Sequence, residues 1–107
     1  MGDRQIHALD RIFRALASEP RRKILHLAAR ERCAVTQFAT QLKMSQPAVS
    51  KHIRVLVDAG LLSKTPEGRH RWCRVNPRAF EPACASIEDL RAEYPSPRRL
   101  RARSPRV

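Results

Sequence analysis

Ser45, Gln46, Pro47, Ser50, Lys51, His52 and Arg54 crowd short polar and basic side chains into one stretch of sequence. A glutamine amide can donate and accept at once, which matches the N6/N7 edge of adenine. A serine hydroxyl does either, and its small size permits close approach. Lysine and arginine reach guanine edges or phosphates. Projected at 3.6 residues per turn, Gln46, Pro47, Ser50, Lys51 and Arg54 fall on one side of a helix. Val49, Ile53, Leu56 and Val57 fall on the other. The oily side can dock on neighbouring helices while the hydrophilic side meets a nucleic-acid groove. Base reading is expected of Gln46, Pro47 and Ser50, and backbone anchoring of Lys51, His52 and Arg54. Ser45 is the N-cap, Pro47 lies in the first turn, and the free N–H groups there suit a phosphate.

A second basic group lies at Glu67-Gly68-Arg69-His70-Arg71. Arginine suits a narrow, strongly negative minor groove, so this segment is expected along the flanking groove or backbone. Charge agrees: 22 Lys+Arg stand against 10 Asp+Glu, a formal net of +12 at pH 7. Such an excess marks a polyanionic partner. One segment departs from it. Residues 79–94 hold a single basic residue, Arg91, against Glu81, Glu88, Asp89 and Glu93. That segment is expected to meet something other than phosphate.

These groups need elements to hold them. Ile6, Leu9, Ile12, Phe13 and Leu16 recur at the spacing of an amphipathic helix over about Arg4–Ala17. Ser18 caps a second helix with Ile24, Leu25, Leu27 and Ala28 on its apolar face, ending at Arg30-Glu31-Arg32. Thr36 is expected to cap a short third helix, and Lys43-Met44 leads to the fourth, which Gly60 stops. Leu61–Thr65 and Arg71–Val75 read as strands around turn residues Pro66-Glu67-Gly68. Phe80–Tyr94 is a last helix with Ala83, Cys84, Ile87 and Leu90 on one face. The fold class is therefore mainly α with a small β-hairpin, in the order α-α-α-α-β-β-α. Residues 1–94 form one domain, and the Arg/Pro-rich tail 95–107 lacks a packing face and is expected to be disordered. A chain of 107 residues buries a limited share of its surface, so pairing with a second copy is an attractive way to complete the core.

Leu16-Ala-Ser-Glu-Pro-Arg-Arg-Lys-Ile-Leu25, Met44-Ser-Gln-Pro-Ala-Val-Ser-Lys-His-Ile-Arg-Val-Leu56, Ala59-Gly-Leu-Leu62 and Glu67-Gly-Arg-His-Arg71 resemble the ArsR family of bacterial winged-helix repressors over about residues 8–80. The resemblance implies a winged helix-turn-helix homodimer paired through its first and last helices, with Ile6, Leu9, Ile12, Phe13, Ile87 and Leu90 at that contact. It also implies a palindromic DNA operator overlapping a promoter, and hence a dimeric repressor or autorepressor. The helix beginning at Ser45 would enter the major groove and the 66–71 wing the flanking groove. The family's arsenic-type Cys-x-Cys pair aligns with Ala34 and Thr36, and no histidine stands in 79–94 where zinc-type ligands belong. No metal and no cofactor is therefore expected.

Cys33, Cys73 and Cys84 fit small buried hydrophobes of a reducing compartment. The sharper alternative is a thiol or reactive-sulfur switch using Cys33 and Cys84, with nearby arginines lowering a thiol pKa. No apolar run approaches a membrane span, so the cytoplasm is the expected location. An enzyme is disfavoured: three glycines make no phosphate loop, and no paired carboxylates or nucleophile–base group stands out. The alternative of another class is a non-specific basic nucleic-acid binder of the nucleoid or ribosome. Such a protein relies mainly on Lys, Arg and phosphate contacts, whereas this face begins with Gln, Pro and Ser.

Overall fold

The computed structural model describes residues 3–93, save for the side chains of Asp3, Gln5 and Ile6. The expected tail 95–107 and the dimer-contact side chain of Ile6 lie outside that range. Helices α1 (Asp3–Leu16), α2 (Glu19–Arg30), α3 (Val35–Leu42), α4 (Gln46–Asp58) and α5 (Glu81–Glu93) follow the expected order. Strands β2 (Leu62–Glu67) and β3 (His70–Val75) form the hairpin. A third strand joins them. β1 (Cys33–Ala34) pairs antiparallel with β3, giving the order β1-β3-β2. The sequence reading had only two strands, because a two-residue strand carries no alternation of its own.

Local chemistry sets the boundaries. The Ser18 hydroxyl accepts from the Arg21 amide, and the Ser45 hydroxyl from the Ala48 amide, each satisfying one orphan donor of its helix. α3 starts differently from expectation. Thr36 is not its cap; Ala34 occupies that position, and its amide donates to Gln37 Oε1 at 2.7 Å. The Thr36 carbonyl instead accepts from the Thr40 hydroxyl one turn on. Gly60, at φ +80°, ends α4. Its amide donates to the Val57 carbonyl and the Leu61 amide to the Leu56 carbonyl, the paired bonds of a Schellman ending.

The core joins every α-helix and strand: Ile12, Ile24, Cys33, Phe38, Ile53, Leu62, Cys73 and Ala83 are all buried in it. Ile12, expected at a dimer contact, is buried in the core of its own chain. The 3.6 period places it on the apolar face but does not divide that face between the chain's own interior and a partner. Leu9 and Phe13 flank it, half-buried and packed on the same core. The last helix is preceded by a 3-10 turn over Pro77–Phe80. Asn76 ties the end of the wing back to α4: its amide donates to the Leu61 carbonyl and its side-chain Nδ2 to the Gly60 carbonyl at 3.0 Å.

Candidate nucleic-acid interface

α3 and α4 are joined by Lys43-Met44-Ser45. Lys43 adopts a left-handed conformation at φ 55°, and the Met44 amide returns to the Ala39 carbonyl, so the chain reverses within three residues. α4 then lies across α3 with Val49, Ile53 and Leu56 turned inward. The opposite face of α4 is free. Ser45, Gln46, Pro47, Ser50, Lys51 and Arg54 are all exposed. The amphipathic division read from the sequence is therefore the division that packing imposes.

His52 departs from that face. It is half-buried, and its Nδ1 lies 3.2 Å from a terminal guanidinium nitrogen of Arg21 on α2. Guanidinium has only donors, so Nδ1 is the acceptor and the ring proton sits on Nε2. Burial first, and the Arg21 charge second, push the His52 pKa down. A neutral ring turned toward α2 is a packing contact, and it takes His52 away from the anchoring role expected beside Lys51. Arg21 also donates through Nε to the Ala15 carbonyl at 2.8 Å and through its other terminal nitrogen to the Arg14 carbonyl at 2.9 Å. The sequence reading missed Arg21, since nothing local announces a bond to a residue 31 positions away.

The wing stands beside α4. β2 and β3 pair from Leu62↔Val75 to Glu67↔His70, leaving Gly68-Arg69 as the loop. Gly68 has φ +63°, which glycine tolerates and which a two-residue hairpin of type II′ requires at its first position. Residues 64–71 are exposed throughout, including Arg69, His70 and Arg71. Next to the loop, Arg32 pairs with Glu67, and its guanidinium carbon sits 4.3 Å from the Trp72 ring centre. His70 lies against the same indole, with ring centres 5.3 Å apart. Arg32 is a second residue that the sequence reading did not single out.

A family model described as "Bacterial regulatory protein, arsR family" matches residues 18–64, which run from the cap of α2 into β2. The arsenic resistance transcriptional regulator ArsR1 of Pseudomonas putida is 30% identical over 94 residues, covering 84% of this chain and 73% of that protein. This chain belongs to the ArsR family. An HTH-type transcriptional regulator of Mycobacterium tuberculosis is 40% identical over 68 residues, 64% of each chain. In three dimensions the chain is similar to an ArsR-like transcriptional regulator from Rhodococcus, with a TM-score of 0.79, 29% identity, and coverage of 95% of this chain and 92% of that one. It is also similar to a homodimeric winged helix-turn-helix DNA-binding domain from Mycobacterium bovis, with a TM-score of 0.68, 25% identity, and coverage of 90% and 92%.

Within this ArsR-family fold Cys33 and Cys73 are the buried hydrophobes expected, and Cys84 is not. Cys33 stands directly opposite Cys73 in the β1–β3 pairing, while Cys84 lies exposed on α5. Burial, then the Glu31 charge, pushes the Cys33 thiol pKa up, not down as the expected arginine effect would have it. Burial also raises Cys73, against a smaller opposing pull from Lys64. Ala34, one of the two positions that the resemblance sets against a thiol pair, is buried, and Thr36, the other, is exposed. Among the described residues no group of three or more His, Cys, Asp or Glu side chains could hold a metal ion, and no helix is long and apolar enough to cross a membrane.

α5 carries a stripe at Ala83, Ile87 and Leu90. Ala83 is buried in the core, but Ile87 is 51% and Leu90 66% exposed. The stripe thus runs past the edge of the chain's own interior. Beside it, a groove between α1 and α5 is lined by Leu9, Pro82 and Leu90 together with Ser86, Asp89 and Glu93.

Proposed function

We propose that this chain is a sequence-specific DNA-binding transcriptional repressor that acts as a homodimer on an inverted-repeat operator, its own promoter included. The observation that carries the reading is the free face of α4, where Gln46, Pro47 and Ser50 precede Lys51 and Arg54 over a fully buried Val49-Ile53-Leu56 stripe. A helix seated this way presents its N-terminal turn to base edges in the major groove. Gln46 and Ser50 read bases; Lys51 and Arg54 hold phosphates; Arg69 and Arg71 extend the contact to the flanking groove. Pairing through α1 and α5 covers Ile87 and Leu90, and a two-fold axis places one α4 in each half-site. Relatives named as transcriptional regulators of the same family support this reading.

The test is selection of bound fragments from a random duplex pool, followed by footprinting on the selected site and on the DNA upstream of the chain's own coding sequence. A protected inverted repeat is expected in both. Gln46→Ala or Ser50→Ala should weaken the selected site by about 1–3 kcal/mol and random DNA little. Arg69→Ala should weaken both and flatten the salt dependence. Equal losses on selected and random DNA for all three variants would replace this reading with that of a non-specific binder.

A further inference from the structure

We propose that Arg32 is a positioning residue for the wing, setting where Arg69 and Arg71 meet DNA; this rests on the reading of the wing as a DNA contact. β1 pairs with β3 only at Cys73 and Trp72. Beyond that point residues 66–71 form a two-stranded ribbon, exposed on every side chain. Such a ribbon has little stability of its own and needs a neighbour to fix its direction. Arg32, the residue before β1, sits at the end of that strand away from the ribbon, and its side chain runs back toward it. Its guanidinium covers the Trp72 ring and pairs with Glu67, the last residue of β2. It thus ties Glu67, next to the Gly68-Arg69 loop, to Trp72, where the three-stranded part of the sheet ends. His70 packs on the same indole, so the strand leading away from Arg69 is held as well.

The geometry suits arginine in particular. A planar guanidinium stacks on an aromatic face while its edge donates to a carboxylate; a lysine ammonium cannot do both in one fixed plane. The grip also holds the acidic group of the wing tip, Glu67, against a cation of its own chain. An exposed ion pair by itself is weak, but the stacked cation adds to it. Little energy is needed to bias an otherwise unsupported ribbon toward one direction.

The experiment is a double-mutant cycle on the full chain, measured by fluorescence anisotropy of a labelled duplex selected by the wild-type protein from a random pool. Arg32→Ala should weaken binding by roughly 3- to 10-fold when Arg69 is present, and by less than about 2-fold in an Arg69→Ala background. Arg32→Lys should resemble Arg32→Ala. Trp72 is the one tryptophan of the chain, so its emission should shift and its quenching by acrylamide should rise in Arg32→Ala, with the melting of the helices nearly unchanged. Additive losses would show that Arg32 touches DNA itself and would overturn the proposal, as would full affinity in Arg32→Lys or Arg32→Ala. If Arg69→Ala alone has no effect, the reading of the wing fails first, and the positioning role falls with it.

Discussion

Truncating Ile87 and Leu90 together to alanine should abolish pairing of the chain while leaving each copy folded. Each substitution removes three carbons, worth about 0.8 kcal/mol apiece when fully buried. Leu90 is still 66% exposed and Ile87 51%, so that is the fraction a partner can cover. A symmetric contact counts each residue twice, which gives an upper bound of about 5–6 kcal/mol for the double variant. Half of that bound, about 2.8 kcal/mol, already weakens the dimer by roughly 100-fold. Because these side chains contribute little to the chain's own core, the cost to folding of the isolated copy should be small. Sedimentation equilibrium over a concentration series measures the dissociation constant, and circular dichroism checks helix content. The wild-type melting midpoint should rise with concentration and that of the variant should not. A variant that pairs within about 3-fold of wild type, a change of less than 0.7 kcal/mol, would refute the assignment of this stripe to the dimer contact.

Acid should weaken the fold through His52. Its pKa in the folded chain is held below the usual 6.5, so the unfolded chain binds the proton more readily; the neutral ring's contribution is intact above about pH 6.5 and is lost as pH falls through the lowered value. Denaturant melts between pH 7.5 and 5 should show this slope, and His52→Gln should reduce it; an unchanged slope assigns the effect to other groups. Gly60→Ala should destabilise by about 1–2 kcal/mol from backbone strain alone, since a methyl at φ +80° meets nothing within 4 Å; urea unfolding measures it, and a neutral result would mean that the end of α4 re-forms without the left-handed residue. In the native protein iodoacetamide should label Cys84 and spare Cys33 and Cys73, which react only after unfolding. Equal labelling of Cys33, read by mass spectrometry, would contradict its buried and raised thiol.

Features that depend on neighbours within a few residues were legible in the sequence. Ser18 and Ser45 cap their helices, Gly60 ends α4, and the face of α4 follows from the 3.6 period. The hairpin was legible, but its turn was displaced. Pro66 and Glu67 belong to β2, because that strand lies at the sheet edge, where a missing N–H costs no ladder bond, and the left-handed Gly68 sets the reversal. What escaped was set by distant partners. β1 exists because Cys33 and Ala34 meet β3 some 40 residues later. Ile12 is apolar on a correct face, yet only the packed structure decides that it belongs inside. His52 fits the basic run in sequence, and Arg21 draws it out of that run.

That last contact joins the two halves of the proposed mechanism. α1 and α5 pack together and carry the surface where a second copy is expected, while α4 carries the reading face. Arg21 bonds to the last carbonyls of α1, from Arg14 and Ala15, and with the same guanidinium to His52 of α4. A movement of α1 relative to α4 therefore acts on these bonds together with the direct packing of the two helices. Protonating His52 removes the acceptor and sets two cations face to face, so acid severs the link to α4 while leaving both carbonyl bonds to α1 in place. The group whose protonation is expected to weaken the fold is thus part of one contact, beside the direct packing of α1 on α4, between the surface expected to pair and the face expected to read DNA.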